Sequence, residues 1–196
     1  ILSKKPMIPE VYDLMKKVGK LVFQATRPSV RQLCAEVMLQ FFLTYPLSSK
    51  RLQQHLDVIV HNLSYPESDG RLSAIELLNV VVTRFPKPVI DDLSSYIFMP
   101  VVVQLVNDDD ASCRTSIGAV IRSLFGRVSS LAFGKLAGYL LRWLDSPQAL
   151  LQQAAAQVTG FAIEVRGALI GQIFSRLYEL LLNLTCSRES EEGQVT

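Results

Sequence analysis

Two stretches decide the fold: Arg31-Gln-Leu-Cys-Ala-Glu36-Val-Met38 and Arg71-Leu-Ser-Ala-Ile-Glu76-Leu-Leu78. Arg falls on Arg, Glu on Glu, and apolar residues keep the same helical spacing. The same offset of 40 carries Tyr45-Pro46 onto Phe85-Pro86. A third copy, Arg114-Thr-Ser-Ile-Gly-Ala-Val-Ile121, lies 43 residues further on. A fourth, Leu151-Gln-Gln-Ala-Ala-Ala-Gln-Val158, keeps the apolar spacing without the Arg.

Between these copies lies a second set of amphipathic helices, with apolar residues at i, i+3, i+4 and i+7. Examples are Val11, Leu14, Met15, Val18 and Val22, and then Leu52, Leu56, Ile59, Val60 and Leu63. First helices of the pairs are expected to begin near Pro9, Ser49, Pro88, Ser130 and Leu169. Short oxygen-bearing side chains precede the apolar stripes at Ser48 and Ser49, Ser68 and Asp69, Asp108 to Asp110, Ser129 and Ser130, and Ser146, where they can accept from free N–H groups of a first turn. Pro9, Pro28, Pro88 and Pro147 suit first-turn positions. Pro100 lies inside an apolar run, so a kink or break is expected there. Val80–Val82 and Val101–Val103 are β-branched, but the longer helical patterns around them decide for helix.

Helix pairs recurring at ~40–47 residues are the mark of HEAT or armadillo arrays, and two helices without a short third favour HEAT. The expected fold class is therefore all-α, an α-solenoid of about four and a half HEAT-type helix pairs. Repeats are placed near 9–46, 48–86, 88–128, 129–167 and 169–186, with 187–196 a disordered tail or linker. An irregular helical bundle is the competing architecture. One pair cannot cover its own apolar face, so neighbours must stack and the core must run on from pair to pair.

Composition agrees. Of 196 residues, 49% are hydrophobic and 19% charged, enough to bury a core and too apolar for a disordered chain. The net charge of +2 excludes a simple polybasic nucleic-acid binder. No membrane span is expected: the longest apolar uncharged run, Leu93–Asn107, falls short of the ~20 residues a bilayer requires. No secretory leader is expected either, because no apolar block follows Lys4, Lys5 and Pro6. The initial Ile is what a segment cut from a longer protein would show. Cys34, Cys113 and Cys186 are odd in number and form no C-x-x-C, which points to plain buried thiols in a reducing compartment.

Motifs for chemistry do not emerge. There is no G-x-G-x-x-G, no G-x-x-x-x-G-K-[ST], no G-x-S-x-G and no H-E-x-x-H. His55 and His61, six apart, occupy different helix faces without a third ligand. Asn107-Asp108-Asp109-Asp110 lacks the spacing and terminal Glu of a calcium loop and reads as a helix start. The expectation is no enzyme, no catalytic residue, no metal and no cofactor.

Charge is uneven. Residues 1–51 hold nine basic and three acidic side chains. Lys16, Lys17, Lys20, Arg27, Lys50 and Arg51 form a candidate edge for phosphate, RNA or partner contact, against the plainer reading of solvated lysines. Aromatic interleaving is missing, since Tyr12 and Phe23 read as core. Arg31, Arg71 and Arg114 have a structural reading: with the turn carboxylates Asp69, Asp109 and Asp110 of neighbouring repeats they would form a ladder of charge-assisted hydrogen bonds that locks stacking.

Arg51-Leu-Gln-Gln-His-Leu-Asp-Val-Ile-Val-His-Asn-Leu-Ser-Tyr65-Pro, the following Ser68-Asp-Gly-Arg71-Leu-Ser-Ala-Ile-Glu76, and Pro9-Glu-Val-Tyr12-Asp-Leu-Met-Lys-Lys17 resemble the DRIM family. That family is the very large HEAT-repeat scaffold of the small-subunit processome. The resemblance covers residues 5–130 well and the remainder weakly. It implies a nucleolar protein that associates with the box C/D small nucleolar ribonucleoprotein and supports maturation of the 18S ribosomal RNA precursor. The partners it implies are other processome proteins, the remainder of its own longer chain, and pre-ribosomal or small nucleolar RNA, with no membrane. It carries over no catalytic residue. The alternative from another class is a karyopherin-type nuclear transport receptor, but the acidic inner surface such a receptor turns to Ran has no counterpart in these acidic residues.

Overall fold

The computed structural model describes residues 8–167 together with Gly171, Ser175, Tyr178 and Glu179. Cys186, the expected tail 187–196 and most of the expected fifth repeat lie outside the described residues.

Eight α-helices and one short 3-10 turn make up the described fold: α1 Pro9–Gln24, α2 Pro28–Thr44, α3 Ser49–His61, α4 Ser68–Arg84, α5 Lys87–Asn107, α6 Ala111–Arg127, α7 Ser130–Leu144 and α8 Ala149–Arg166. The turn Asn62–Ser64 joins α3 to α4. No strand occurs among the described residues, so both Val runs are helical. Ser48, Asp110 and Ser129 accept from first-turn N–H groups of α3, α6 and α7. At α4 the N-cap is Glu67, whose side chain caps nothing, and Ser68 is already helical.

Short turns force each helix back against its predecessor: α1 packs on α2, α5 on α6 and α7 on α8. Across pairs, α2, α4, α6 and α8 form a row in which each helix meets the next. The first helices form a looser row. α5 touches α7, whereas α1 and α3 scarcely meet, and α1 leans on α4 instead. One hydrophobic cluster runs from Tyr12 in α1 to Ala162 in α8. This helix-pair packing is consistent with an α-solenoid and differs from a bundle wrapped about one centre.

Aromatic side chains knit the pairs together. Phe98 of α5 stacks on Trp143 of α7 with centroids 5.9 Å apart and planes 4° apart. Phe42 of α2 meets Phe85 at the end of α4 edge-on at 6.4 Å. Gly70 is required at a close approach: a Cβ there would lie 2.3 Å from Tyr65 Cδ1 and 3.0 Å from the Phe23 carbonyl oxygen.

Two expectations need correction, both at α5. The helix runs unbroken through Pro100. The missing N–H leaves one turn without its bond, but Ile97, Phe98, Val101 and Val102 on either side are buried in the shared core, and the helix continues across the proline. α5 is also long and apolar enough to cross a membrane, by length and composition alone. The helix extends past the uncharged run to include Val89, Ile90, Asp91 and Asp92. Its Ile90, Ile97, Phe98 and Leu105 are packed inside the fold, as in a core helix.

Candidate functional site

Arginines early in α2, α4 and α6 share one geometry. Arg31 donates from Nη1 to the carbonyls of Ala25 and Thr26, six and five residues back, at 2.9 and 3.3 Å. Arg71 does the same to Tyr65 and Pro66, at 3.1 and 2.9 Å. Arg114 donates to the Asp108 carbonyl, again six back, at 2.7 Å. Each side chain thus closes the turn leading into its own helix.

The remaining guanidinium edges reach the next pair. Arg31 donates from Nη2 to Asp69 at 2.9 Å and from Nε to Ser73 Oγ at 3.1 Å. Arg71 grips Asp108 at two points, Nε–Oδ2 3.0 Å and Nη2–Oδ1 2.9 Å, and also meets Asp109 at 2.6 Å. Arg114 has no carboxylate partner among the described residues. The expected ladder therefore changes at two places, Arg114 and Asp110. Asp110 is no partner of these arginines; its carboxylate accepts from the Ser112 and Cys113 N–H groups as the cap of α6. Asp108, buried, takes the place assigned to it.

Burial pushes the Asp108 carboxyl up. Hydrogen bonds from Arg71, the Gln104 side chain and the Asp110 N–H outweigh that and hold it below the usual aspartate value. Hydrogen bonding to Asp108 raises Arg71 further despite its own burial. Burial pushes the Cys113 thiol up, so it is a poor nucleophile. Cys34 is partly buried.

A second arginine set, at the far ends of the same helices, escaped the sequence reading. Arg127 donates to the Phe85 carbonyl at the end of α4. Arg166 donates to the carbonyls of Phe125, at 2.7 Å, and Val128 at the end of α6. Arg122 of α6 pairs with Glu164 of α8 at 2.5 Å. The signal was present: Arg84, Arg127 and Arg166 follow at about the repeat spacing.

The candidate contact edge is partly assembled. Because α1 and α3 stand apart, a cleft opens between them. One part, about 500 Å³, has Met15, Phe23, Met38, Ile59 and Leu77 in its floor and Lys16, Lys17 and Lys20 along its wall. The other, about 590 Å³, is lined by Tyr12, Lys16, Lys50, Arg51 and Gln54. His55 and Val58 line both. Arg27 is not brought in: it is the exposed N-cap residue of α2 and lines neither part.

The positive field in the cleft acts on His55. Burial lowers its pKa first, and Lys16 and Arg51 lower it further. Its ring lies edge-on to Phe41 at 5.3 Å. Arg51 stacks over the Tyr12 ring at 3.8 Å. Lys16 meets Asp13 at 3.4 Å, with both side chains mostly in solvent, so that pair is weak. Among the described residues, no three His, Cys, Asp or Glu side chains gather as metal ligands.

Taken together, the described residues define an all-α protein of stacked helix pairs, cross-braced by arginines and opened by one cationic cleft. No family model matches the chain. It is similar to the U3 small nucleolar RNA-associated protein 20 of Schizosaccharomyces pombe, 26% identical over 196 residues and 97% of this chain. It is also similar to the protein of the same name from Saccharomyces cerevisiae, 28% identical over 144 residues and 74% of this chain. Both likenesses are consistent with the processome scaffold family that the sequence resembles. The chain spans 8% and 6% of the length of these curated relatives.

Proposed function

We propose that the chain is a non-enzymatic scaffold segment of a ribosome-biogenesis factor. In this reading it works in the nucleolus, within the small-subunit processome, and supports processing of the 18S ribosomal RNA precursor. The observation that carries the reading is the similarity along 97% of the chain to a protein named for its association with U3 small nucleolar RNA. The paired helices support it physically: a row of stacked pairs presents side chains at fixed spacing over a long surface and needs no reacting centre.

In this proposal the pairs are HEAT repeats near 9–46, 48–86, 88–128 and 129–167. Arg31 and Arg71 lock their stacking, and Arg114 closes the turn into its own helix. Asp69, Asp108 and Asp109 serve as the acceptors. The partners are other processome proteins and the remainder of the longer chain, with pre-ribosomal or small nucleolar RNA as a further candidate at Lys16, Lys17, Lys20, Lys50 and Arg51.

Sedimentation of the tagged full-length protein tests the reading. Co-migration with particles containing the 18S precursor is the expected result. Migration with Ran and soluble cargo would instead assign a transport receptor. Retention of 18S processing after deletion of this segment would remove the segment's role.

A further inference from the structure

The cleft between α1 and α3 combines two features that a phosphate-binding edge does not require together. Its rim is cationic and its floor is apolar. Lys17, Lys20, Lys50 and Arg51 are exposed and have no ion-pair partner among the described residues. Asp13 is the one carboxylate among the lining residues. Val58, 42% exposed, lines both parts of the cleft, and the buried Met38, Ile59 and Leu77 line the part that Lys16, Lys17 and Lys20 share with it.

A polar group in the wall is also unsatisfied. The Tyr12 hydroxyl is buried and has no hydrogen-bond partner. A buried hydroxyl left in that state costs free energy. Arg51 lies against the same ring with its N–H groups available.

From these we infer that the α1–α3 cleft docks an acidic amphipathic segment of a partner protein, its aliphatic side chains over Val58 and its carboxylates on Lys16, Lys20 and Arg51. The inference rests on the scaffold reading and deepens it by naming the chemistry of the partner. Charge complementarity selects an acidic ligand. The apolar floor selects one that carries hydrophobic anchors, because burying Met38 and Val58 under a sugar–phosphate backbone would gain little. Recognition of single-stranded RNA relies on exposed aromatic rings to stack bases. The one aromatic residue of the wall near the cations, Tyr12, is buried and already covered by Arg51. A helix laid in a groove through i, i+3, i+4 and i+7 anchors is the matching mode.

The test is fluorescence anisotropy on the 196-residue chain, with unfolding curves recorded for every variant. The probe is a peptide of about 14 residues, which at ~1.5 Å per residue matches the length of α3. It has leucines on one helical face and glutamates on the other. The controls are the same peptide with Glu→Gln or Leu→Ala, and a uridine oligonucleotide. The expected result is saturable binding of the probe, weakened about tenfold or more by each peptide control. Lys16→Glu with Lys20→Glu, and separately Val58→Glu, should each weaken it to a similar degree while leaving the unfolding curve in place. Both substitutions are on exposed side chains, so folding is not at issue.

The inference is overturned if the probe does not bind, or if Val58→Glu leaves its affinity unchanged. It is also overturned if the oligonucleotide binds more tightly than the probe and loses affinity steeply with salt, since that assigns the rim to phosphates. None of these outcomes touches the sedimentation result, so the scaffold reading stands or falls separately.

Discussion

Arg71 of α4 and Asp108 before α6 meet at two points, 3.0 and 2.9 Å, with the Asp108 side chain fully buried and only 9% of the Arg71 side chain exposed. The guanidinium also binds the carbonyls of its own turn, so one side chain ties two helix pairs together. A buried carboxylate left without its partner costs about 3–5 kcal/mol. Arg71→Ala should therefore lower the melting temperature strongly, by roughly 6–20 °C for a chain of this size. Arg31→Ala should cost less, because its acceptor Asp69 is 71% exposed and can turn to water. Calorimetry of the two variants side by side checks the order; an equal or reversed order contradicts it.

The same pair sets an acid limit. The folded-state pKa of Asp108 lies below its ordinary value of 3.8. Its stabilisation is thus complete above about pH 4 and is lost as the pH falls through the folded value. Urea titrations from pH 5 to 2 should show that loss in the wild type. Asp108→Asn should be less stable at pH 7 and show less of it.

His55 behaves with the opposite geometry but a related sign. Its folded pKa is depressed below 6.5, so the unfolded chain takes up the proton first. Stability should fall as the pH drops below about 6.5, down to the folded value. His55→Gln should flatten this part of the pH–stability curve. An unchanged slope would place the titration elsewhere.

Glycines separate close contacts from open helix. Gly70→Ala should destabilise by about 1–3 kcal/mol, since the methyl meets Tyr65 and the Phe23 carbonyl at the joint between pairs. Gly134→Ala, in the interior of α7 with nothing within 4 Å of the added carbon, should stabilise by about 0.5–1 kcal/mol. Urea midpoints of the two variants moving in the same direction would contradict this.

Much of the architecture was legible because helix starts are written in local chemistry. Pro9, Ser49 and Ser130 open α1, α3 and α7 as read, and α5 begins one residue before Pro88. The stripe spacing named core residues such as Met15, Val22, Leu56 and Ile59, but Leu14 of the same stripe is 57% exposed. The expected break at Pro100 does not occur because tertiary packing on both sides of it overrides the local rule. The exchange of Asp110 for Asp108 has a similar cause: in a run of three aspartates, the one that caps and the one that is buried are decided by the helix start, and composition does not distinguish them. Arg127 and Arg166 were visible as a spacing but carry no motif. The cleft was not legible at all. It exists because α1 leans on α4 rather than on α3, and a missing contact leaves no trace in a pattern of apolar residues. Of the cations named from the sequence, Lys16, Lys17, Lys20, Lys50 and Arg51 line the cleft and Arg27 does not.

Residue-level crosslinking of the intact full-length protein in purified pre-ribosomal particles decides between stacked pairs that hold a partner and a bundle wrapped about one centre. Lysine crosslinks are expected from Lys16, Lys17, Lys20 and Lys50 to a processome protein, at an acidic segment bearing aliphatic residues. Within the chain, crosslinks are expected only between adjacent helix pairs. Lysines that crosslink across distant pairs, or a segment that is absent from such particles, would contradict the scaffold of stacked pairs.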